Sequence, residues 1–309
     1  MSGYENSEFD LAKSQRKRQI NAKRVKSKRR PRRAASGNMN RSDFGLSCVF
    51  RDTVEVCDQL FCAANGNVPP PAIKLCITKL PMFDDKATLG LHTPLMIEVR
   101  DVDVVELMRE YCADKTLQSP LMLNLASDMY PGGGVNSGKK AQEECIFRRT
   151  NAYMTHPLEW YPLGPTELIY SPAVHAVKGL DHKLLPLAQH CKFGMITLAA
   201  LRKPRLDSTN EGLDVYRSPE DRELMAAKID AIFRVALMNG HDSLVLGALG
   251  CGVFKNPVRQ VAAMFKQSLM KYGRHFKRIG FAILVVNTID RENFNVFSNL
   301  LNGLKEGNV

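Results

Sequence analysis

The chain has 309 residues, of which 44% are hydrophobic and 24% are charged, ordinary values for a protein that buries a core. Its net charge is +11, but residues 1–41 carry 13 Lys and Arg against three acids, so the remaining 268 residues have a net charge of +1. This nearly neutral body argues against nucleic-acid binding through a broad positive face, because such binding needs clustered cations.

Other classes of protein are also disfavoured. The first ten residues contain acids and no apolar run, which argues against a secretory signal. The most apolar stretch, Ile279–Val286, is far shorter than the roughly 20 residues of a membrane span. The eight cysteines form no CxxC pair, so a zinc ribbon or a disulfide framework is not indicated and a reducing compartment is favoured.

The N-terminal segment is a basic tail. Residues 11–33 hold 12 Lys and Arg and no acid, and they cannot bury enough surface to offset the entropy of ordering, so we expect residues 1–43 to be disordered. The blocks Arg16–Arg18 and Lys23–Arg33 fit a bipartite import signal, which predicts a nuclear protein with a cytoplasmic fraction, or one of the host nucleus if it is viral. A clamp on a polyanion, either nucleic acid or polymer, and a merely solubilising tail are the alternatives.

Residues 44–309 form the body, in which strands alternate with helices. A helical apolar spacing over Asp52–Ala64 is ended by the prolines of Asn67–Pro71. Continuous apolar runs predict strands covered on both faces at Leu95–Val99, Leu121–Ala126, Glu167–Pro172, Gly194–Ala200, Ser243–Leu249 and Ile279–Val286. Helices are predicted at Val102–Ala113, at Ala141–Met154, at Pro219–Met238 and from Pro257, capped by Asn256, to Tyr272–Gly273. The alternation predicts an α/β domain of three layers with a mixed, largely parallel sheet flanked by helices.

Two of the predicted strands end in glycine-rich loops. Strand Leu121–Ala126 is followed by SDMYPGGGVNSGKKAQEE, and strand Ser243–Leu249 by GCGVFKNP. Ligands of open α/β sheets bind outside the carboxyl ends of the strands, where glycines let backbone amides approach an anion. The two loops together therefore predict a site for a diphosphate, although tight turns without a ligand are the alternative.

Two adjacent acids, Glu143 and Glu144, follow the first glycine loop at the predicted start of a helix. Acids in a first turn stabilise the helix dipole, which is the simplest explanation of the pair. Beside a loop that binds a diphosphate, however, a carboxylate repels the ligand, so its presence there indicates a function. We therefore expect a general acid or base whose pKa is raised by burial and by neighbouring negative charge.

The GGG motif, seven residues and then QEE, continued as CIFRRTNAY, resembles the microbial-type poly(ADP-ribose) glycohydrolases (PARGs), a catalytic branch of the macrodomain fold. The resemblance covers about residues 44–301. It includes successive blocks at Leu121–Pro131, Ile169–Val174, Met195–Ala200 and Leu244–Pro257, and the closing FAILVVNTIDRENFNVF.

The resemblance implies hydrolysis of ribose–ribose bonds from the chain end of poly(ADP-ribose), releasing ADP-ribose without metal or cofactor. It implies that Glu144 is the catalytic acid and then the base for water, and that Glu143 binds hydroxyls of the terminal ribose. Phe254 is expected to pack against ribose and adenine, with a core aromatic as the alternative, and a structural role is the alternative for Asn124. The implied substrate-binding residues are Asn124, Gly132, Gly133, Gly134, Gln142, Gly250, Cys251, Gly252, Val253 and Phe254.

Three other functions remain open from the sequence. A reader that binds ADP-ribose or ADP-ribosylated proteins without cleavage would have no need of both Glu143 and Glu144. A hydrolase of protein-linked mono-ADP-ribose shares the motif. A nucleic-acid-binding protein with an inactive domain is disfavoured by the neutral body. The thiol of Cys145, beside the acids, is not expected to be a nucleophile, because no His or Asn motif accompanies it.

Overall fold

The structure is a computed structural model, and it describes residues 41–81, 95–302 and 304. The expectations for residues 1–40 therefore lie outside the described residues. The strands are β1 (Ile73–Cys76), β2 (Met96–Arg100), β3 (Pro120–Leu125), β4 (Glu167–Ala176), β5 (Cys191–Leu198), β6 (Leu206–Ser208), β7 (Asp214–Tyr216), β8 (Ser243–Leu246) and β9 (Arg278–Ala282). The α-helices are α1 (Arg41–Leu60), α2 (Val104–Ala113), α3 (Gln142–Arg149), α4 (Pro219–Met238), α5 (Val258–Tyr272) and α6 (Thr288–Leu301).

Seven strands form one mixed sheet in the order β1-β4-β5-β3-β8-β9-β2. The five strands from β5 to β2 are parallel, whereas β4 runs antiparallel to both β1 and β5. Strands β6 and β7 form a separate hairpin. The largely parallel sheet predicted from the apolar runs is thus confirmed.

Helices cover both faces of the sheet and make the three layers. Successive side chains of a strand point to opposite faces, and in β3 Leu121 and Leu123 pack with residues of α4, α5 and α6, while Met122 packs with residues of α1, α2 and α3. All three side chains are fully buried. None of the described helices is both long and apolar enough to cross a membrane.

Helix α3 is shorter than the sequence predicts, because it ends at Arg149 rather than at Met154. Thr150 is extended and forms a bridge with Ala176 at the end of β4. The carbonyl of Arg149 accepts hydrogen bonds from the amides of Val177 and Lys178. Pairing with β4 therefore replaces the next helical turn.

The predicted cap of α5 is also wrong. Asn256 does not cap the helix, whose N-cap is Pro257 and whose first residue is Val258. The Asn256 side chain is buried and is used elsewhere: its Nδ2 donates to the carbonyl of Leu201 at 2.7 Å, and its Oδ1 accepts from the Tyr216 hydroxyl at 2.8 Å. These bonds hold the loop after β8 against the segment after β5 and the β6–β7 hairpin.

Candidate active site

The first glycine loop joins β3 to α3 and lies close against that helix. Gly132 and Gly133 have left-handed φ angles of +72° and +52°, which glycine adopts readily and other residues rarely do. A Cβ at Gly132 would lie 2.6 Å from the Phe147 ring, and one at Gly133 would lie 2.8 Å from Oε1 of Glu144. Glycine is therefore required at both positions for the loop to approach the two acids.

Glu143 is 3% exposed and is held by three donors. Its Oε2 accepts from the Ser127 amide at 2.7 Å, and its Oε1 accepts from the Gly132 amide at 3.2 Å and from Nδ2 of Asn124 at 3.3 Å. Burial raises the pKa of Glu143 to about 8, although these hydrogen bonds act in the opposite direction. The carboxyl therefore joins the end of β3, the glycine loop and α3 at one buried point.

Glu144 is 7% exposed, and its two oxygens differ. Oε1 accepts a hydrogen bond from the Gly134 amide at 2.8 Å. Oε2 is buried and has no hydrogen-bond partner among the described residues. One oxygen is thus fixed by the loop while the other is free to exchange a proton with a bound ligand.

The amides of the three glycines are consumed inside the loop. The Gly132 and Gly134 amides bind Glu143 and Glu144, and the Gly133 amide donates to the carbonyl of Tyr130 at 3.1 Å. The sequence predicts that this loop shares a diphosphate with the second loop. In the structure its glycine amides position carboxylates instead of facing an anion.

Gln142 also has an internal use. Its Oε1 accepts from the Leu125 amide at 2.7 Å, and its Nε2 donates to the Leu123 carbonyl at 2.8 Å. The side chain thereby satisfies backbone groups at the end of β3 and fixes the start of α3. Gln142 is expected from the sequence to bind substrate, but in the structure both its amide oxygen and its amide nitrogen bond the backbone of β3.

Asn124 is completely buried and lies behind Glu143. Its Nδ2 also lies 3.3 Å from Oγ1 of Thr197, which is 2.7 Å from Nε2 of His156. Nδ1 of His156 is 2.7 Å from the carbonyl of Ala152, and burial lowers the pKa of this histidine to about 4. A neutral histidine therefore ends a buried hydrogen-bond chain that leads to Glu143.

The second glycine loop follows β8. Gly250 has φ +76°, and a Cβ there would lie 2.4 Å from the Cβ of Ala200, so this glycine serves close packing. Cys251 is buried, and burial raises the pKa of its thiol above the usual range. The amides of Gly252, Val253 and Phe254 donate to no acceptor among the described residues, while the side chain of Val253 is 72% exposed. These three consecutive free amides can bind an anion.

An ion pair and a ring contact link the two loops. Nε of Arg202, just beyond β5, lies 3.0 Å from Oδ1 of Asp128 in the first loop. The same guanidinium lies 4.4 Å from the ring centre of Phe254 in the second loop. Asp128 and Arg202 were not predicted from the sequence, although Arg202 follows a predicted strand end, where a polar residue is a signal. The sites of the two loops therefore form one region.

Cys145 faces away from this chemistry. Its thiol donates to Oδ2 of Asp103 at 3.1 Å, and burial, followed by the charge of Asp103, raises the pKa of the thiol to about 12. A protonated thiol is a poor nucleophile. This geometry agrees with the expectation that Cys145 does not attack the substrate.

The raised pKa of Glu143 predicts a pH dependence of stability. The folded protein holds a proton on Glu143 that an unfolded chain with the ordinary pKa of 4.5 releases, so this contribution is complete below pH 4.5 and is lost as the pH rises through about 8. We expect Glu143→Gln to remove this slope, which amounts to up to about 1.4 kcal/mol per pH unit between those values. Urea unfolding of both proteins at pH 5 to 9 measures the difference.

Two features keep that comparison clean. The pKa values of His156 and His175 are both lowered to about 4, so these histidines make the protein more stable as the pH rises, opposite to Glu143. Both proteins contain them, so their effect cancels when the two profiles are subtracted. Glu159→Gln, at an exposed position, is the matched control and should keep the slope of the unchanged protein. Parallel profiles for Glu143→Gln and the unchanged protein would mean that Glu143 is ionised throughout.

The comparisons with known proteins agree with the motif and the fold. Residues 78–179 match the family "Microbial-type PARG, catalytic domain", a segment that contains the first glycine loop and both glutamates. A comparison with curated protein sequences gave no match.

Solved structures similar to this chain include bacterial PARGs. The crystal structure of PARG from Thermomonospora curvata is 23% identical, with a TM-score of 0.67 over 83% of this chain and 99% of that chain. A structure of the same bacterial enzyme is bound to the inhibitor ADP-HPD, at 23% identity and a TM-score of 0.66 over the same shares. PARG from Deinococcus radiodurans, in complex with ADP-ribose, is 25% identical, with a TM-score of 0.56 over 67% of this chain and 84% of that chain. In the matched segment and in its fold, this chain is therefore similar to the microbial-type PARGs.

Proposed function

We propose that this chain hydrolyses the ribose–ribose glycosidic bonds of poly(ADP-ribose) from the chain end and releases ADP-ribose, with Glu144 as general acid and base. The observation that carries the proposal is the asymmetry of Glu144: Oε1 is fixed by the Gly134 amide, and Oε2 is buried and unpartnered. A buried oxygen of this kind has no use in the empty protein and is placed for proton transfer.

In the first step, Oε2 of Glu144 protonates the oxygen of the leaving ribose as positive charge develops on the anomeric carbon. The resulting carboxylate then takes a proton from the attacking water, which completes hydrolysis. Glu143 accepts three hydrogen bonds from the protein, which leaves one of about four lone-pair sites for a ribose hydroxyl.

The charge of the pair is limited by the pKa of Glu143. With that pKa near 8, Glu143 is largely protonated at neutral pH and adds little negative charge to the pair. This reduces the repulsion of a substrate diphosphate bound nearby. The same proton takes the remaining lone-pair site of Glu143, so at neutral pH this carboxyl is mainly a donor toward the ribose.

The second loop is the proposed holder of the diphosphate. The free amides of Gly252, Val253 and Phe254 supply donors without a positive side chain. The Phe254 ring is contacted by Arg202 and packs against the hydrophobic core, and because it is only partly buried its exposed part is the proposed contact for ribose and adenine. Substrate binding and acid catalysis are thus divided between the two loops.

Two alternative functions make different demands on the site. A reader of ADP-ribose gains nothing from a buried carboxylate oxygen without a partner, because that oxygen costs stability in the empty protein. A hydrolase of mono-ADP-ribosylated protein would use the same acid but would leave polymer intact. The asymmetry of Glu144 favours a hydrolase over a reader.

Product analysis separates these functions. The purified chain is incubated with poly(ADP-ribosyl)ated protein and, in parallel, with mono-ADP-ribosylated protein, and the products are separated by chromatography. We expect free ADP-ribose from the polymer without intermediate oligomers, as chain-end cleavage requires. Release from the mono-modified protein alone would replace the proposal, and binding without release would assign a reader.

We propose that the basic tail directs the protein to the nucleus, on the strength of its two blocks of Lys and Arg. Deleting residues 1–40, which ends before α1, should move a tagged protein out of the nucleus and leave activity on short polymers unchanged. Fluorescence microscopy and the product assay measure the two effects. Unchanged nuclear retention would remove the import role, and a salt-sensitive loss of affinity for long polymer alone would assign the tail to a polyanion clamp.

A further inference from the structure

Three buried polar atoms around the glutamate pair have no hydrogen-bond partner among the described residues. They are Oδ1 of Asn124, Oε2 of Glu144 and the hydroxyl oxygen of Tyr161. Buried polar side-chain atoms are paired in the large majority of cases, so three unpaired atoms in one region indicate a place where a ligand can bind. Two of these residues were expected from the sequence, and Tyr161 was not.

Tyr161 lies in the segment between a short 3-10 helix (Leu158–Trp160) and β4. The amide of Leu163 donates to the carbonyl of Asp128 at 2.7 Å, which ties this segment to the first glycine loop. The tyrosine as a whole is only half-buried, whereas its hydroxyl is buried. Its polar end therefore points inward.

The hydroxyl lies within electrostatic range of Glu143. Burial, followed by the charge of Glu143, raises the pKa of Tyr161 above its usual range, so the hydroxyl stays protonated and can donate as well as accept. Glu143 itself is occupied by Ser127, Gly132 and Asn124 and takes no bond from the tyrosine. The hydroxyl is thus buried within electrostatic range of Glu143 and has no bond to it.

The chemistry of the three atoms selects the kind of group that fits. Oδ1 of Asn124 can only accept and therefore needs a donor, whereas Oε2 of Glu144 and the tyrosine hydroxyl belong to groups that can donate or accept. A phosphate offers only acceptors to them, whereas a sugar hydroxyl is both donor and acceptor. A polyhydroxyl group therefore fits, and the diphosphate does not.

We propose that Tyr161 is a ligand-binding residue whose hydroxyl bonds a hydroxyl of the terminal ribose. This inference rests on the proposed function, and it assigns to the ribose site a side chain from a segment outside both glycine loops. The alternative occupant is a trapped water that satisfies the tyrosine in the presence and absence of ligand.

Tyr161→Phe tests the assignment because it removes one oxygen and keeps the ring. ADP-ribose and ADP are the two probes, since they share the adenosine diphosphate and differ only in the terminal ribose. We expect the Kd of ADP-ribose, measured by calorimetry on the full chain, to rise about five-fold, as for a single lost hydrogen bond. The Kd of ADP should be unchanged.

Tyr153→Phe is the matched control. It removes a hydroxyl that bonds Asp58 at 2.6 Å and the Val54 carbonyl at 3.1 Å on α1. We expect it to lower the thermal stability and to leave both Kd values unchanged.

The outcomes are distinct. An equal loss for ADP-ribose and ADP would make Tyr161 a structural residue and overturn the inference. If neither Kd changes, the Tyr161 hydroxyl binds only a water, and the inference is overturned as well. In both cases the proposed function stands as long as the protein without substitutions binds ADP-ribose and cleaves the polymer. If that protein does not bind ADP-ribose, both the proposed function and the role of Tyr161 are refuted.

A second measurement tests the inference without a substitution, in case the Tyr161→Phe variant does not fold. Trp160, the sole tryptophan, is the neighbour of Tyr161 and reports on that segment in the unchanged chain. Saturation with ADP-ribose should shift its emission, and saturation with ADP should not. Equal responses, or none, would contradict contact with the terminal ribose.

Discussion

Glu144→Gln is expected to slow ADP-ribose release by about 100- to 10,000-fold, the usual contribution of a general acid or base. Because the glutamine carbonyl can keep the hydrogen bond from the Gly134 amide, the loop should stay in place. The amide nitrogen then occupies the position of the unpartnered Oε2 and can neither give up nor take a proton at neutral pH. Initial rates on poly(ADP-ribosyl)ated protein measure the loss.

The affinity for ADP-ribose should remain within a few-fold, since the substitution changes no contact of the second loop. Calorimetry on the variant measures this Kd. Glu159→Gln, an exposed glutamate in the same part of the chain, is the control and should retain full turnover. Turnover of Glu144→Gln near that of the unchanged protein would refute Glu144 as the acid, and a matching loss of affinity would assign it to binding.

The strands of the fold could be predicted because a parallel sheet covered on both faces leaves continuous apolar runs. Every predicted run overlaps an observed strand of the sheet, and β3 is buried at five of its six positions. Helix α4 was predicted from Pro219 to Met238 and has those bounds, since Ser218 caps it and Pro219 opens it. Local sequence determines such ends.

What the sequence missed depends on contacts distant in the chain. The end of α3 is decided by pairing of Thr150 with Ala176, and the use of Asn256 is decided by Leu201 and Tyr216. Strand β1 and the β6–β7 hairpin are too short to leave a pattern. Helix α6, which was not predicted, has a cap that the sequence shows: Asn287 accepts from the Asp290 amide at 3.0 Å.

The active site, like the fold, could be predicted only in part from the sequence. The residue types and their place after β3 indicate two working acids, but sequence alone cannot assign the donors of each oxygen. Only the folded loop shows that the Gly132 and Gly134 amides bind Glu143 and Glu144. The same is true of the bond between Gln142 and β3. Tyr161 has no motif, and only its burial without a partner draws attention to it.

Gly133→Ala is the second substitution with a large expected effect, and we expect it to lower turnover by about 100-fold. Its added Cβ would lie 2.8 Å from Oε1 of Glu144 and 3.0 Å from Oε2 of Glu143, so the loop or both carboxylates must shift. A misplacement of about 1 Å in a catalytic geometry costs a factor of this size. Initial rates measure it.

The stability of Gly133→Ala should fall by about 1–3 kcal/mol, because alanine is strained at φ +52°. Gly240→Ala is the matched control. Gly240 also has a left-handed φ, +69°, but no atom lies within 4 Å of its added Cβ, and it lies between α4 and the start of β8, whereas the second glycine loop follows the other end of that strand. This control should lose a similar stability in urea unfolding and keep its turnover.

The pair of substitutions separates backbone strain from displacement of the acids. Equal losses of turnover in Gly133→Ala and Gly240→Ala would mean that instability alone slows the enzyme. Full turnover in Gly133→Ala would mean that the carboxylates work without the close contact of the loop. A loss of turnover in Gly133→Ala but not in Gly240→Ala is the expected result if the GGG motif serves to bring two amides to Glu143 and Glu144. If the glycine amides instead bound an anion, the carboxylates would be free to move and could adjust to the added Cβ.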